Sequence, residues 1–237
     1  MLLQHLLPLW SSTRFVFSRV FFKEEKAFVS PSTNYFLIIA HPDDESMFFG
    51  PLISKIDSCG GTLTIVVCTD GGLGSDPCVR RQEMKRLCED YNIKVFFLEK
   101  PDGFLSAHKE VLHSLEVIYS STRSTSILTF DEHGVSGHPD HIFCYSLGRS
   151  LAKRVGLPCI HALLSVSVLD KYFSPVLPPG SWRRSPESAV VFSTFRESLA
   201  NRARMFYHRS QLKWYRLLYI VFSCYMDCII LKRIPTQ

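Results

Sequence analysis

Between Asn34 and Leu169 the apolar residues fall into two alternating kinds of run. Short, nearly uninterrupted stretches occur at Tyr35-Phe36-Leu37-Ile38-Ile39-Ala40, Thr62 to Thr69, Lys94-Val95-Phe96-Phe97-Leu98 and Ile127-Leu128-Thr129-Phe130. Their length and β-branched content predict strands buried on both faces. Between them, Ser46 to Ser58, Cys78 to Tyr91 and Ser106 to Ser121 carry apolar residues at helical spacing. This alternation predicts an α/β fold of three layers, Rossmann-like, with a mostly parallel doubly wound sheet.

Further along, a helix is expected over Asp140 to Arg154 and a strand-like run over Ile160 to Leu169. A loop is expected around Pro175, Pro178, Pro179 and Gly180, and an edge strand from Ala189 to Phe195. Arg196 to Leu231 reads as one or two helices, increasingly apolar after Leu212. At the other end, Leu2 to Phe22 is apolar but interrupted by Gln4, His5, Pro8, Arg14 and Arg19. A spanning helix wants about 20 predominantly apolar residues, so a membrane-surface anchor or a marginal span is expected here. The chain thus divides into a membrane-proximal segment and linker (1–30), an α/β domain (31–195) and a basic amphipathic helical tail (196–237).

Composition narrows the partners. A hydrophobic content of 46% with 21% charged residues excludes a disordered chain, which lacks the apolar surface to offset ordering entropy. The formal charge of +5 is mild and spread out, so no nucleic-acid partner is expected. Basic residues gather only between Arg196 and Arg216, where an anionic phospholipid or a phosphorylated substrate would suit them. None of the eight cysteines forms a CxxC pair, which excludes a zinc ribbon and points to reduced thiols in a cytosol-facing protein.

In an open parallel sheet, ligands bind at the carboxyl ends of the strands. The loops to inspect are therefore His41 to Ser46, Thr69 to Cys78, Pro101 to Leu105 and Asp131 to His141. Two of them are unusual. Ala40-His41-Pro42-Asp43-Asp44-Glu45 follows the first strand, and Gly134-Val135-Ser136-Gly137-His138-Pro139-Asp140-His141 follows the fourth. Three consecutive carboxylates repel one another unless a cation is present. His41 and Asp44 stand three apart, as do His138 and His141, with a proline after the first histidine each time. Two imidazoles and one carboxylate, with a fourth position left for water, make a catalytic zinc site. His41, Asp44 and His141 are the expected ligands of one Zn2+ ion. Asp43 is then suited to general base, and His138 to stabilising an oxyanion and protonating a leaving amine. Asp140 is expected to orient the His138 ring. The set describes metal-assisted amide hydrolysis. By the competing reading, the acidic residues cap a helix and the histidines are solvated. Glycine-rich Thr69 to Gly74 lacks phosphate-cradle spacing, and no G-x-S-x-G elbow is present.

These residues resemble a known family. Ala-His-Pro-Asp-Asp-Glu at 40–45 with Gly-His-Pro-Asp-His at 137–141 is similar to the LmbE-like, or PIG-L, de-N-acetylases, over about Asn34 to Val168. The resemblance implies a Rossmann-like fold and zinc-dependent removal of acetyl from N-acetylglucosaminyl substrates. Arg80-Arg81-Gln82-Glu83 resembles the family's arginine-x-x-glutamate helix start, which implies a substrate-contacting Arg80; Glu83 reads equally well as a surface salt-bridged helix end. Three features are similar to the eukaryotic branch: Thr129-Phe130-Asp131 leading into Gly134, the run from Ser165-Val166 to Lys171-Tyr172, and the tail His208-Arg209-Ser210-Gln211-Leu212 with Trp214-Tyr215-Arg216. That branch implies a glycolipid substrate, N-acetylglucosaminyl-phosphatidylinositol, a membrane surface, and residence at the cytosolic face of the endoplasmic reticulum. It implies no obligate protein partner. Two departures stand: Asp140 occupies a position where eukaryotic members often carry an amide, and Leu2 to Phe22 is less clean than their membrane helix. A soluble N-acetylglucosaminide as substrate, and a non-catalytic metal-stabilised membrane-surface protein, remain the alternatives.

Overall fold

The computed structural model describes residues 28–73, 75–103, 108–173 and 187–236. The N-terminal apolar segment and the proline-containing loop around Pro178 lie outside them. The chain runs β1 (Asn34–Ile39), α1 (Asp44–Phe48), α2 (Gly50–Cys59), β2 (Thr62–Thr69), α3 (Pro77–Asp90), β3 (Lys94–Lys100), α4 (His108–Thr122) and β4 (Ser126–Phe130). A kinked turn at Gly134–Gly137 leads into α5 (Pro139–Arg154), β5 (Cys159–Leu163) and α6 (Val168–Phe173). The remainder is β6 (Ser188–Phe192), α7 (Phe195–Arg204), α8 (Trp214–Phe222) and β7 (Cys228–Pro235).

Seven strands form one sheet in the order β3-β2-β1-β4-β5-β7-β6. The first five are parallel, and β7 runs antiparallel to both its neighbours. This is the predicted α/β architecture with helices on both faces. Its reason is visible in β1, where Phe36 to Ile39 are wholly buried, so the strand needs apolar cover on both sides. Leu37 pairs with Ile65 on one side and Leu128 on the other. From β1 the chain winds outward through β2 and β3, then crosses back to β4. Strand order therefore reverses between β1 and β4, and the loops after those two strands face each other across the crevice.

Helix starts are set locally. The Asp76 side chain accepts from Cys78 N at 2.8 Å, with Pro77 in the first turn of α3. His138 does the same for α5, its Nδ1 accepting from Asp140 N at 3.3 Å ahead of Pro139.

The C-terminal third differs from expectation. The fifth strand stops at Leu163, and Val168–Phe173 is helical. The tail is not helical to Leu231. Cys228–Pro235 inserts as a strand between β5 and β6, burying Ile229, Ile230 and Leu231. The tail thus contributes a strand to the same sheet. No helix among the described residues is long and apolar enough to cross a membrane.

Candidate active site

The turn after β1 folds over its own carboxylate. Asp44 Oδ2 accepts from Ala40 N at 3.1 Å and His41 N at 2.8 Å, which brings the His41 and Asp44 side chains together. Asp43 carries the turn at φ +135°, a conformation L-residues rarely adopt and one that persists only when neighbours enforce it. Those neighbours are specific. Glu45 Oε2 accepts from Asp43 N at 3.2 Å, and Arg80 Nη2 reaches Pro42 O at 2.8 Å.

The turn after β4 hangs on Asp131. Its carboxylate accepts from Gly134 N at 3.0 Å and from both N and Oγ of Ser165 at 2.6 Å. Val135 at φ +45° and Ser136 at φ +79° are forced by this anchoring. Gly134 O then accepts from His141 Nδ1 at 3.0 Å, and the His141 ring lies flat on Phe130, centroids 3.9 Å apart.

His41, Asp44 and His141 converge, each offering a ligand atom within 4.8 Å of the others, all three residues buried. His41 Nδ1 is 3.5 Å from Asp44 Oδ2, and His141 Nε2 is 3.3 Å from Asp44 Oδ1. Because His141 Nδ1 is engaged by the Gly134 carbonyl, its Nε2 is left facing the Asp44 carboxylate. That buried nitrogen has no hydrogen-bond partner among the described residues. Burial alone disfavours the His41 imidazolium, but Asp44, Asp102 and Asp140 outweigh it and push its pKa up to about 12. Burial would likewise raise Asp44, yet His141 and His41 hold it well below the carboxylate range. Two imidazoles with one carboxylate are a donor set that fits a divalent ion.

The other expected residues sort differently. Asp43 is buried beside the cluster, its Oδ1 3.1 Å from Arg80 Nη2 and its Oδ2 3.2 Å from Arg216 Nη2. Burial raises its pKa above the ordinary carboxylate range, against the pull of Arg216 and Arg80. His138 is exposed at the rim, its ring 4.8 Å from that of His41 and 4.6 Å from that of His141. Burial and the charges of His141 and His41 lower its pKa. With Nδ1 accepting, the neutral ring carries its proton on Nε2.

Asp140 does not hold the His138 ring with its carboxylate. From the first turn of α5, Oδ2 points inward, 3.2 Å from His41 Nε2, and accepts from Gly103 N at 2.9 Å. Arg80 is buried, and its guanidinium is engaged by Pro42 O, Asp43 and Gly71 O at 2.5 Å. Glu83 is buried too and binds Ser210 N and Oγ at 2.8 and 2.7 Å, so it is no surface ion pair.

Sequence reasoning missed four participants. Asp102, in a loop flagged only by topology, places Oδ1 2.9 Å from His41 Nε2; burial would raise its carboxyl, but the hydrogen bond and charge of His41, with the Leu73 N–H, together bring it down to about 2. Glu45 Oε1 sits 2.6 Å from His208 Nε2, both residues wholly buried. Arg216 was read only as part of a basic helix. Asp102 was detectable as an acidic residue at a strand's carboxyl end; the Glu45 and Arg216 contacts span more than 160 residues and leave no local trace.

The family model described as PIG-L, GlcNAc-PI de-N-acetylase, matches residues 36–152, a range that includes His41, Asp44 and His141. A probable N-acetylglucosaminyl-phosphatidylinositol de-N-acetylase of Schizosaccharomyces pombe is 31% identical over 83% of this chain and 85% of its own length. The N-acetylglucosaminyl-phosphatidylinositol de-N-acetylase of Bos taurus is 31% identical over 80% and 79%. Among solved structures, the N,N'-diacetylchitobiose deacetylase of Pyrococcus horikoshii superposes with a TM-score of 0.66, covering 95% of this chain and 92% of its own. At 18% identity, that likeness speaks for the fold alone. With a family model over residues 36–152 and relatives 31% identical over about four fifths of its length, the chain belongs to the PIG-L family of GlcNAc-PI de-N-acetylases.

Proposed function

We propose that this chain hydrolyses the acetamide of N-acetylglucosaminyl-phosphatidylinositol to acetate and glucosaminyl-phosphatidylinositol, the second step of glycosylphosphatidylinositol anchor synthesis. The observation that carries the reading is the convergence of His41, Asp44 and His141, with buried Asp43 next to Asp44 and exposed His138 within ring contact of both histidines. The names of the fission-yeast and bovine relatives supply the substrate.

A zinc ion held by His41, Asp44 and His141 would polarise a carbonyl and acidify water. The residues of the chain account for the rest. Asp43 accepts a proton from the attacking water, its carboxylate fixed from both sides by Arg80 and Arg216. His138 presents its Nε2–H to the oxygen on which charge develops. The C–N bond then breaks as the amine takes up the proton, and acetate leaves. Asp102 and Asp140 keep His41 Nε2 engaged, which fixes the ring and directs Nδ1 to the cluster.

A membrane surface at the cytosolic face of the endoplasmic reticulum is the proposed location. Its support is α8, where Trp214, Tyr215, Leu217 and Leu218 are exposed beside exposed Arg209 and Lys213. No acidic residue lies between Glu197 and Asp227. Such a face suits anionic lipid.

The test is side-by-side acetate release from the inositol lipid in mixed micelles and from a water-soluble N-acetylglucosaminide. Preferred turnover of the lipid is expected. Equal turnover of both would move the substrate to the soluble class, and turnover of neither would end the reading.

A further inference from the structure

The C-terminal segment touches the catalytic turn at several points. The His208 side chain is wholly buried and contacts Glu45 Oε1 at 2.6 Å. Glu45 Oε1 also accepts from Ser46 Oγ at 2.7 Å, while its Oε2 takes the backbone N–H of Asp43. Burial would lower the His208 pKa, but Glu45 outweighs it and raises it. Eight residues on, Arg216 lays one nitrogen on Asp43 Oδ2 at 3.2 Å and the other against Met47 Sδ. Between them, Ser210 binds Glu83 and Gln211 Nε2 donates to Ser75 Oγ at 2.8 Å. Tyr219 OH donates to Met47 O at 2.7 Å.

The contacts act on one object. Asp43 holds a rare backbone conformation and must aim its carboxylate at a water. Arg80 restrains Oδ1 and the preceding carbonyl, but restrains neither Oδ2 nor the Asp43 N–H. Those two groups are held by Arg216 directly and by His208 through Glu45. A helix and strand that served only to close the sheet would require neither a cation on that carboxylate nor a buried imidazole behind it.

We infer that His208 and Arg216 are positioning residues for Asp43, so that the segment from His208 to Arg216 completes the active site. Neither touches the acetamide; they fix the base from behind. The inference rests on the function proposed above, and its test separates the two. Misplacing a reacting group by about 1 Å costs on the order of 100-fold in rate.

The experiment measures kcat, KM, bound metal and thermal midpoint for the full chain and for Arg216→Gln, Arg216→Lys and His208→Gln. Crystal structures of the parent and of Arg216→Gln accompany the kinetics. The expected result is a 10- to 100-fold loss of kcat in Arg216→Gln and His208→Gln, on the order of the cost above. KM and bound metal should stay within about twofold, and Arg216→Lys should recover most of the rate by restoring the charge. Unchanged kcat in Arg216→Gln and His208→Gln, or a loss carried by KM or metal content, overturns the inference. Should the parent release no acetate, the functional reading falls and the crystal structures decide this one. An Asp43 carboxylate turned away in Arg216→Gln supports it, and one that keeps its orientation overturns it.

Discussion

Replacing Asp43 by Asn separates the base from the metal site, because Asp43 contributes no atom to the His41–Asp44–His141 cluster. The substitution keeps shape and one acceptor oxygen but removes basicity. Arg80, 3.1 Å from Oδ1, retains the carbonyls of Pro42 and Gly71 as partners. Arg216, 3.2 Å from Oδ2, meets an amide N–H₂ in place of a carboxylate oxygen. Losing this buried ion-pair contact costs about 1.5–3 kcal/mol, the range for an interaction with a charged group. Relief of burying a carboxylate offsets part of that, leaving a net cost of about 1–2 kcal/mol. For a chain of this size the midpoint should fall by about 2–8 °C. The catalytic loss is larger. A positioned general base contributes about 10²–10⁴-fold, equivalent to about 3–5 kcal/mol. Acetate release at saturating lipid should therefore drop by two to four orders of magnitude, with KM within about threefold and metal content unchanged. A variant keeping more than a third of the parental kcat would refute the assignment of the base. One losing metal in step with activity would show that Asp43 belongs to the ion's coordination.

His161 on β5 pairs with Ser126 Oγ at 3.2 Å, and burial together with Arg233 lowers its pKa to about 4. Its folded value lies below the ordinary 6.5, so the unfolded chain binds the proton first and stability falls as pH drops from 6.5 to 4. The difference amounts to about 3 kcal/mol at most; urea titrations of His161→Gln should show a flatter acid limb, and an unchanged limb would contradict the burial argument. Leu231, wholly buried in β7, should cost about 2–5 kcal/mol when cut to Ala, whereas a solvent-facing tail residue would cost almost nothing by the same titration. Zinc at 100 times its Kd should add about 2.7 kcal/mol to parental stability, or about 5–11 °C. The same addition should leave His141→Ala unmoved in a thermal scan, and an equal shift would place the ion elsewhere.

Much of this was legible in the sequence because it is locally encoded. Strands β1 and β2 carry the apolar runs 35–39 and 65–68, since the sheet buries both their faces, and helices α3 and α5 announce themselves by proline after a capping residue. The convergence of His41, Asp44 and His141 was legible for a related reason: each half lies in one short loop, and the topology of a parallel sheet brings the halves together. Strand β7 was not. Ile229-Ile230-Leu231 follows an apolar helix, and a short apolar run fits either structure; pairing with β5 and β6 decides it. The same limit hid the surroundings of the base. The resemblance implies a substrate-contacting Arg80, yet the partners of its guanidinium are Gly71 O, Pro42 O and Asp43. Asp140 reads as a neighbour of His138, but the first turn of α5 aims it at His41. Such partners are chosen by tertiary packing, which residue spacing does not encode.

The account turns on one divalent ion shared by loops separated by almost 100 residues. Anomalous diffraction at the zinc absorption edge, on crystals grown with zinc after chelator treatment, tests it most directly. A single peak bounded by His41, Asp44 and His141, absent from His141→Ala crystals, is the predicted result. A peak at any other set of residues, or none in the parental protein, would contradict it.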